Sequence, residues 1–187
     1  IPLRLVGSEM CIRDRVYVAD SANTATTLAT GITTQMGRVG TSPTDEDLVT
    51  IAQRAHAAGF RTGIVSTSSV TDATPASFMS HVSSRGCENP AIILGGELYS
   101  VDYEGCPQDA KVNGGPGSIA EQIMNAPIDV VLGGGLKHFT TRDPASGNTP
   151  LMMAEGQKIT VVTDPAMLTG ADANERLIGL FLSLIHI

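Results

Sequence analysis

The sequence predicts an α/β fold with a largely parallel central sheet and helices on both faces. Two observations carry that prediction. Short runs rich in valine and isoleucine end in glycine or turn residues, and between them lie stretches whose apolar residues recur at i, i+3, i+4 and i+7. Strand and helix in alternation favour parallel pairing through crossover helices. At 187 residues and 42% hydrophobic, the chain is long enough for one domain with a sizeable core. No apolar run is long enough to span a bilayer. A net charge of −7 excludes a protein that tracks a nucleic-acid backbone with a clustered basic face. A local anion site remains open to it, provided metals, backbone N–H groups or an arginine supply positive potential.

The two ends read differently from the middle. Residues 1–15, IPLRLVGSEMCIRDR, and residues 182–187, LSLIHI, resemble translated remnants of sequencing adapters and are taken as non-native flanks. The alternative is a pair of natural terminal strands. The first segment fails as a signal peptide, because acids and arginines stand where an apolar stretch belongs. On that reading the native part, residues 16–181, is an internal piece whose incomplete sheet leaves apolar edges exposed and prone to aggregation.

Within it, residues 16–19 are a strand end, and a helix starts at about Ser21 with Ala25, Leu28 and Ala29 on one side. In SPTDEDLVTIAQRAHAAGF, residues 42–60, Leu48, Ile51, Ala52 and Ala55 share a face. Acids crowd the expected first turn, and Gly59 sits where a C′ residue belongs. Residues 61–70, 128–135 and 158–164 read as buried strands. SIAEQIMNAP carries a capping box, Ser118 to Glu121, and stops before Pro127. Residues 87–117 and 140–156, rich in Gly, Pro, Asn and Asp, are surface excursions.

Ligands of open α/β sheets gather where strands end and helices begin. In VYVADSANTATTLATG, Ser21 would stand at a helix N-terminus, where free N–H groups and the dipole favour an anion. The small Ala22, Thr24 and Ala25 would let a tetrahedral group approach. The plainer alternative is that Asp20 or Ser21 only caps the helix. In VTDATPASFMSHVSSRGC, Asp72 and Thr74 are hard oxygen donors two apart, which suits Mg²⁺ held by few protein ligands and several waters. Arg85 follows a helix begun at Pro75 and could grip two phosphate oxygens in parallel. Taken singly, these residues are as readily turn, cap and surface groups. GGGLKH lacks the ending of a phosphate-binding P-loop and reads as a strand-to-loop turn. His56, His81 and His138 are isolated, with no zinc spacing, and His81 reads as a packed histidine on a helix with Phe78 and Val82. With Cys11 in the flank, Cys87 and Cys106 remain as an even pair, either disulfide-bonded or free.

Taken together, VADSANTATTLATG, VSTSSVTDATPASFMSHVSSRGC and GGPGSIAEQIMNAPIDVVLGGGLKHF resemble, in order and approximate spacing, segments of the alkaline phosphatase family. The likeness covers residues 16–181 and implies a partial alkaline-phosphatase-like fold. It implies that Ser21 is the nucleophile that becomes phosphoserine and a zinc ligand, that Asp20 orients Arg85, and that Arg85 clamps phosphate oxygens. It makes Thr74 a direct Mg²⁺ ligand and Asp72 a residue acting through metal-bound water, and it favours a Cys87–Cys106 disulfide. Asn23 is larger and more polar than the small residue usual at its position. The family uses two Zn²⁺ and one Mg²⁺, and no motif for the zinc ligands is found here, so the fragment is expected to be inactive alone. The resemblance further implies a periplasmic or secreted homodimeric parent acting on phosphate monoesters and binding inorganic phosphate. A phosphodiesterase or sulfatase relative and a non-catalytic phosphate-binding fragment are the competing readings.

Overall fold

The structure is a computed structural model that describes residues 18–181, except 99, 156 and 173. The predicted flanks, and residues 16 and 17 of the predicted strand end, lie outside the described residues. Helix α1 (Ser21–Thr30) opens on Asp20, whose side chain accepts from the Asn23 N–H, and closes on Gly31 in the left-handed region. Its buried face is Ala22, Asn23, Ala25, Thr26 and Ala29, whereas Leu28 is 78% exposed. The expected leucine contact is therefore replaced by a small-residue face. Thr26 satisfies its hydroxyl there by donating to the Arg38 carbonyl and accepting from the Gly40 N–H.

Helix α2 (Ile51–Ala57) begins later than its acids suggest. Thr50 caps it and Gln53 completes the capping box, so no acid lies in the first turn. The acidic run instead forms a turn in which Ser42 Oγ accepts from the Thr44 and Glu46 N–H groups. Leu48 and Ala52 are buried as expected, but Ile51 is exposed. Strand β1 (Gly63–Ser69) is followed by a single helical turn, α3 (Ala73–Ala76), with Pro75 inside it. The longer helix expected from Pro75 does not form. His81 lies in a loop, its Nε2 3.0 Å from the Leu48 carbonyl oxygen, and Val82 makes an isolated antiparallel bridge to Val39.

The excursion after Cys87 folds into a hairpin, β2 (Gly96–Leu98) and β3 (Val101–Tyr103). Cys87 and Cys106, 19 residues apart and both fully buried, are disulfide-bonded at its base. Helix α4 (Ile119–Asn125) starts as its sequence implies, with Glu121 Oε2 accepting from both the N–H and the hydroxyl of Ser118. Strand β4 (Val130–Gly134), the short helix α5 (Leu136–Thr140), and strands β5 (Ile159–Val162) and β6 (Arg176–Phe181) complete the order.

The central sheet has four parallel strands in the order β1-β4-β6-β5. Strand β6 was not among the expected strands, yet it is central, joining β4 to β5. Its signal was the short run RLIGLF, too brief to separate strand from helix by period. Ile178 and Leu180 from β6 enter one core with Val131, Phe139, Ile119, Ile123, Met124 and Ile128. The strand is pinned at its start by Arg176, whose guanidinium donates to the carbonyls of Ile123, Met124 and Ile128. It thereby ties the end of α4 and the residue after its turn to the start of β6. Burial lowers the Arg176 pKa to about 10, which leaves it charged at neutral pH. Val65, on the edge strand β1, is 74% exposed.

Closing the 19-residue separation should stabilise by about 3 kcal/mol on chain-entropy grounds. The Cys87→Ala/Cys106→Ala double variant should unfold at lower urea by that margin, and reductant should lower the wild-type midpoint but leave the variant unmoved.

Candidate functional site

The first turn of α1 presents Ser21 outward from a helix N-terminus. Because Asp20 is the cap, Ser21 occupies the first helical position, and its exposed hydroxyl is not needed for capping. Asp20 organises what surrounds it. One carboxylate oxygen accepts from the Asn23 N–H at 3.0 Å, and the other accepts from the Gly37 N–H at 3.2 Å and from Arg85 Nη1 at 3.4 Å. Gly37 adopts φ 79°, a conformation a β-carbon disfavours, and its carbonyl accepts from the Arg85 N–H at 2.7 Å. Arg85 is thus held by backbone and side chain, and its Nη1 donates to Ser21 Oγ at 3.0 Å. Its side chain keeps 39% exposure, so donors remain for an anion. Hydroxyl, guanidinium and helix N-terminus converge on one exposed point.

Asn23 lies directly beneath this point. It is 2% exposed, and both atoms of its side-chain amide lack a hydrogen-bond partner. Nothing in the structure explains this polar group in a buried place.

Asp72 and Thr74 stand at the entry of α3, which docks on α1 through Ser77, whose hydroxyl meets Thr26 Oγ1 at 3.2 Å. Asp72 occupies the cap position without using its carboxylate as a cap, and Thr74 is exposed. A carboxylate left out of capping and an exposed hydroxyl two residues on could contribute oxygen ligands to a Mg²⁺ completed by water and by further groups. Zinc is a different case. Among the described residues, no group of three or more His, Cys, Asp or Glu gathers where a metal ion could be held. The described residues therefore do not make a zinc site.

A buried polar cluster that the sequence did not point to lies where β1 and β4 end. Thr71 Oγ1 donates to Glu88 Oε2, and His138 Nε2 lies 3.1 Å from the same oxygen. His138 Nδ1 faces Asn89 Nδ2 at 3.3 Å. Burial, reinforced by Lys137, pushes His138 down to about 4, against a smaller upward pull from Asp72. At neutral pH the contact with Glu88 is accordingly a hydrogen bond from a neutral imidazole. Burial also raises the Glu88 pKa, opposed by the hydrogen bond from Thr71 and helped by the nearby charge of Asp72; Lys137 and Arg85 lower it. Glu88 and His138 are 50 residues apart, so no local motif joins them.

The fold is α/β with a parallel sheet, and it brings a serine, an aspartate and an arginine together at the N-terminus of α1. The alkaline phosphatase family model matches residues 3–181, and the chain belongs to that family. It is 42% identical over 170 residues to the streptomycin-6-phosphate phosphatase of Streptomyces griseus, covering 89% of this chain and 36% of that protein. It is also 42% identical over 171 residues to the alkaline phosphatase of Escherichia coli, covering 88% of this chain and 34% of that protein. The chain thus spans about a third of the length of these curated relatives. The alkaline phosphatase of the Antarctic bacterium TAB5 superposes with a TM-score of 0.65 at 28% identity, over 88% of this chain and 40% of the other. A variant of the TAB5 enzyme with bound Mg superposes with a TM-score of 0.64 at 28% identity, over 90% of this chain and 40% of the other. Among the described residues, no helix is long and apolar enough to cross a membrane.

The His138 shift sets a pH dependence. Its folded pKa lies below the ordinary 6.5, so the unfolded chain takes up this proton first as pH falls. The stability it contributes is full above pH 6.5 and is lost towards pH 4. Glu88, shifted upward, acts in the opposite sense. In urea unfolding, the stability of wild type relative to His138→Gln should therefore shrink between pH 7 and about 4.5.

Proposed function

We propose that the whole protein hydrolyses phosphate monoesters, with Ser21 as nucleophile and a phosphoserine intermediate. The observation that carries this reading is the 3.0 Å contact from Arg85 Nη1 to the exposed Ser21 Oγ at the start of α1. A phosphoryl group there would meet the guanidinium and the free N–H groups of the first turn, both complementary to its negative oxygens. Asp20 keeps Arg85 aimed. Ser21 Oγ forms a bond to phosphorus as the bond to the alcohol oxygen breaks, its proton ending on the departing alcohol; water then attacks the phosphoserine and returns a proton to the serine oxygen as phosphate leaves. The guanidinium and the helix N-terminus are preorganised for charge on the transferring oxygens.

Asp72 and Thr74 would hold Mg²⁺, which when bound supplies positive charge beside the phosphoryl site. The family membership supports metal dependence, and two Zn²⁺ would need ligands from beyond the described residues. Without them, the chain by itself is expected to bind phosphate rather than turn it over. The disulfide supports an oxidising compartment, periplasmic or extracellular. A homodimeric state follows from the family resemblance alone. A guanidinium aimed at the nucleophile favours monoesters over diesters and sulfate esters, because the doubly charged group gains more from it.

The test is turnover of p-nitrophenyl phosphate, with zinc and magnesium supplied, by the longest product of the gene. Ser21→Ala should lose at least about 10³-fold in kcat and all covalent phosphate incorporation. Arg85→Ala should weaken inorganic phosphate binding by about tenfold or more, as expected for loss of a charge-assisted hydrogen bond. Full activity in Ser21→Ala would sink the assignment, and faster turnover of diesters or sulfate esters would redirect it.

A further inference from the structure

Glu88 and His138 take no part in the proposed reaction, yet they connect its two halves. Glu88 stands three residues after Arg85 and directly after the disulfide-bonded Cys87. Its Oε2 accepts from the hydroxyl of Thr71, the residue before Asp72. Thr71 is fully buried, and its hydroxyl also meets Ser69 Oγ at 2.7 Å. From the other side His138 donates to the same Glu88 oxygen, and Asn89 fixes the far nitrogen of the ring. The chain of contacts therefore runs from the end of β1, through Thr71 and Glu88, to α5. Little slack is left at that end of the sheet. Gly135 caps α5 at φ 99°, and a β-carbon there would fall 2.0 Å from Ser69 Oγ.

Apart from the docking of α3 on α1 through Ser77 and Thr26, the two halves of the site are carried by separate segments. Arg85 is tied to Gly37 and Asp20, whereas Asp72 and Thr74 ride on the turn into α3. Resting on the phosphatase reading, we propose that Glu88, braced by His138, is a positioning residue. It holds the turn of residues 71–74 against the Arg85 segment, so that a cation on Asp72 and Thr74 and the guanidinium address the same phosphate. The carboxylate suits this task because it accepts two hydrogen bonds on one oxygen. Removing it leaves a buried imidazole N–H unpaired and leaves the Thr71 hydroxyl with Ser69 Oγ as its remaining side-chain partner.

The experiment compares the chain with Glu88→Ala, Glu88→Gln and His138→Gln by calorimetric titration with inorganic phosphate, with and without Mg²⁺. Hydrogen exchange is followed in parallel at the Thr71 and Asp72 amides, the latter bonded to the Ser69 carbonyl at 3.1 Å. In Glu88→Ala the gain in phosphate affinity that Mg²⁺ confers should fall by about fivefold or more, while Mg²⁺-free affinity moves less than about twofold and the two amides exchange about tenfold faster. Glu88→Gln, which keeps a carbonyl acceptor, should restore most of the Mg²⁺ effect, and His138→Gln should fall between the two. An equal loss of affinity with and without Mg²⁺, or unchanged exchange at both amides, would overturn the positioning role. Absence of phosphate binding in the wild-type chain would instead count against the phosphatase reading, and the exchange rates would still decide whether Glu88 holds the turn. If Glu88→Ala does not fold, Glu88→Gln and His138→Gln carry the same comparison.

Discussion

Everything around the first turn of α1 depends on one carboxylate. Asp20 accepts from the Asn23 N–H, the Gly37 N–H and the Arg85 guanidinium. With those hydrogen bonds it starts a helix, fixes a loop and neutralises an arginine. Each role constrains the others. The cap requires an acceptor with extended backbone before the helix, the loop requires a left-handed glycine, and the arginine requires a charge opposite. An asparagine could meet the first demand but would leave Arg85 without its counter-charge. Because Asp20 does the capping, Ser21 is spared it, and helix start and exposed hydroxyl coexist in adjacent residues.

This arrangement shows how an acidic protein can offer a local positive potential to an anion. The net charge of −7 acts over the whole surface and is screened within about 10 Å at ordinary ionic strength. The site depends on nearer sources: a guanidinium 3.0 Å from the serine oxygen and the partial positive end of α1. Burial raises the Glu88 pKa and lowers that of His138, so both groups nearby are drawn towards their neutral forms.

What the sequence made legible was local. The capping box of Ser118 and Glu121, the valine-rich strands and the glycines ending α1 and α2 are decided by neighbours within a turn or two. The gathering of Asp20, Ser21 and Arg85 was legible only through family resemblance, since 65 residues separate Asp20 from Arg85. The misses have tertiary causes. Leu28 fits an amphipathic pattern, but small residues let α1 pack closely and leave the leucine outside. The acids before α2 resemble a first turn until Thr50 and Gln53 supply a better one. The helix expected from Pro75 is a single four-residue turn that already starts at Ala73. Beyond it the chain is drawn off by the Val39 bridge and by Gln122, which accepts from the His81 N–H and donates to the His81 carbonyl. Strand β6 has too little periodicity in its six residues to be legible, and the Glu88–His138 pair leaves no local signal because only parallel pairing of β1 with β4 brings its two segments together.

The order of strands also governs how the chain reaches this state. In a parallel sheet no strand can meet its partner through a tight turn, and here Thr62 reaches Asp129 across 67 residues and Arg176 reaches Ile128 across 48. Such loops must close before the contacts that reward them exist, which places the chain among slow folders with high contact order. The Cys87–Cys106 link falls inside the first of those loops. Once oxidised, it shortens the path between β1 and β4 by gathering the hairpin into a single node. The bond thereby lowers the entropy of the search for the β1–β4 pairing, so the rate at which the sheet assembles is coupled to the rate of thiol oxidation.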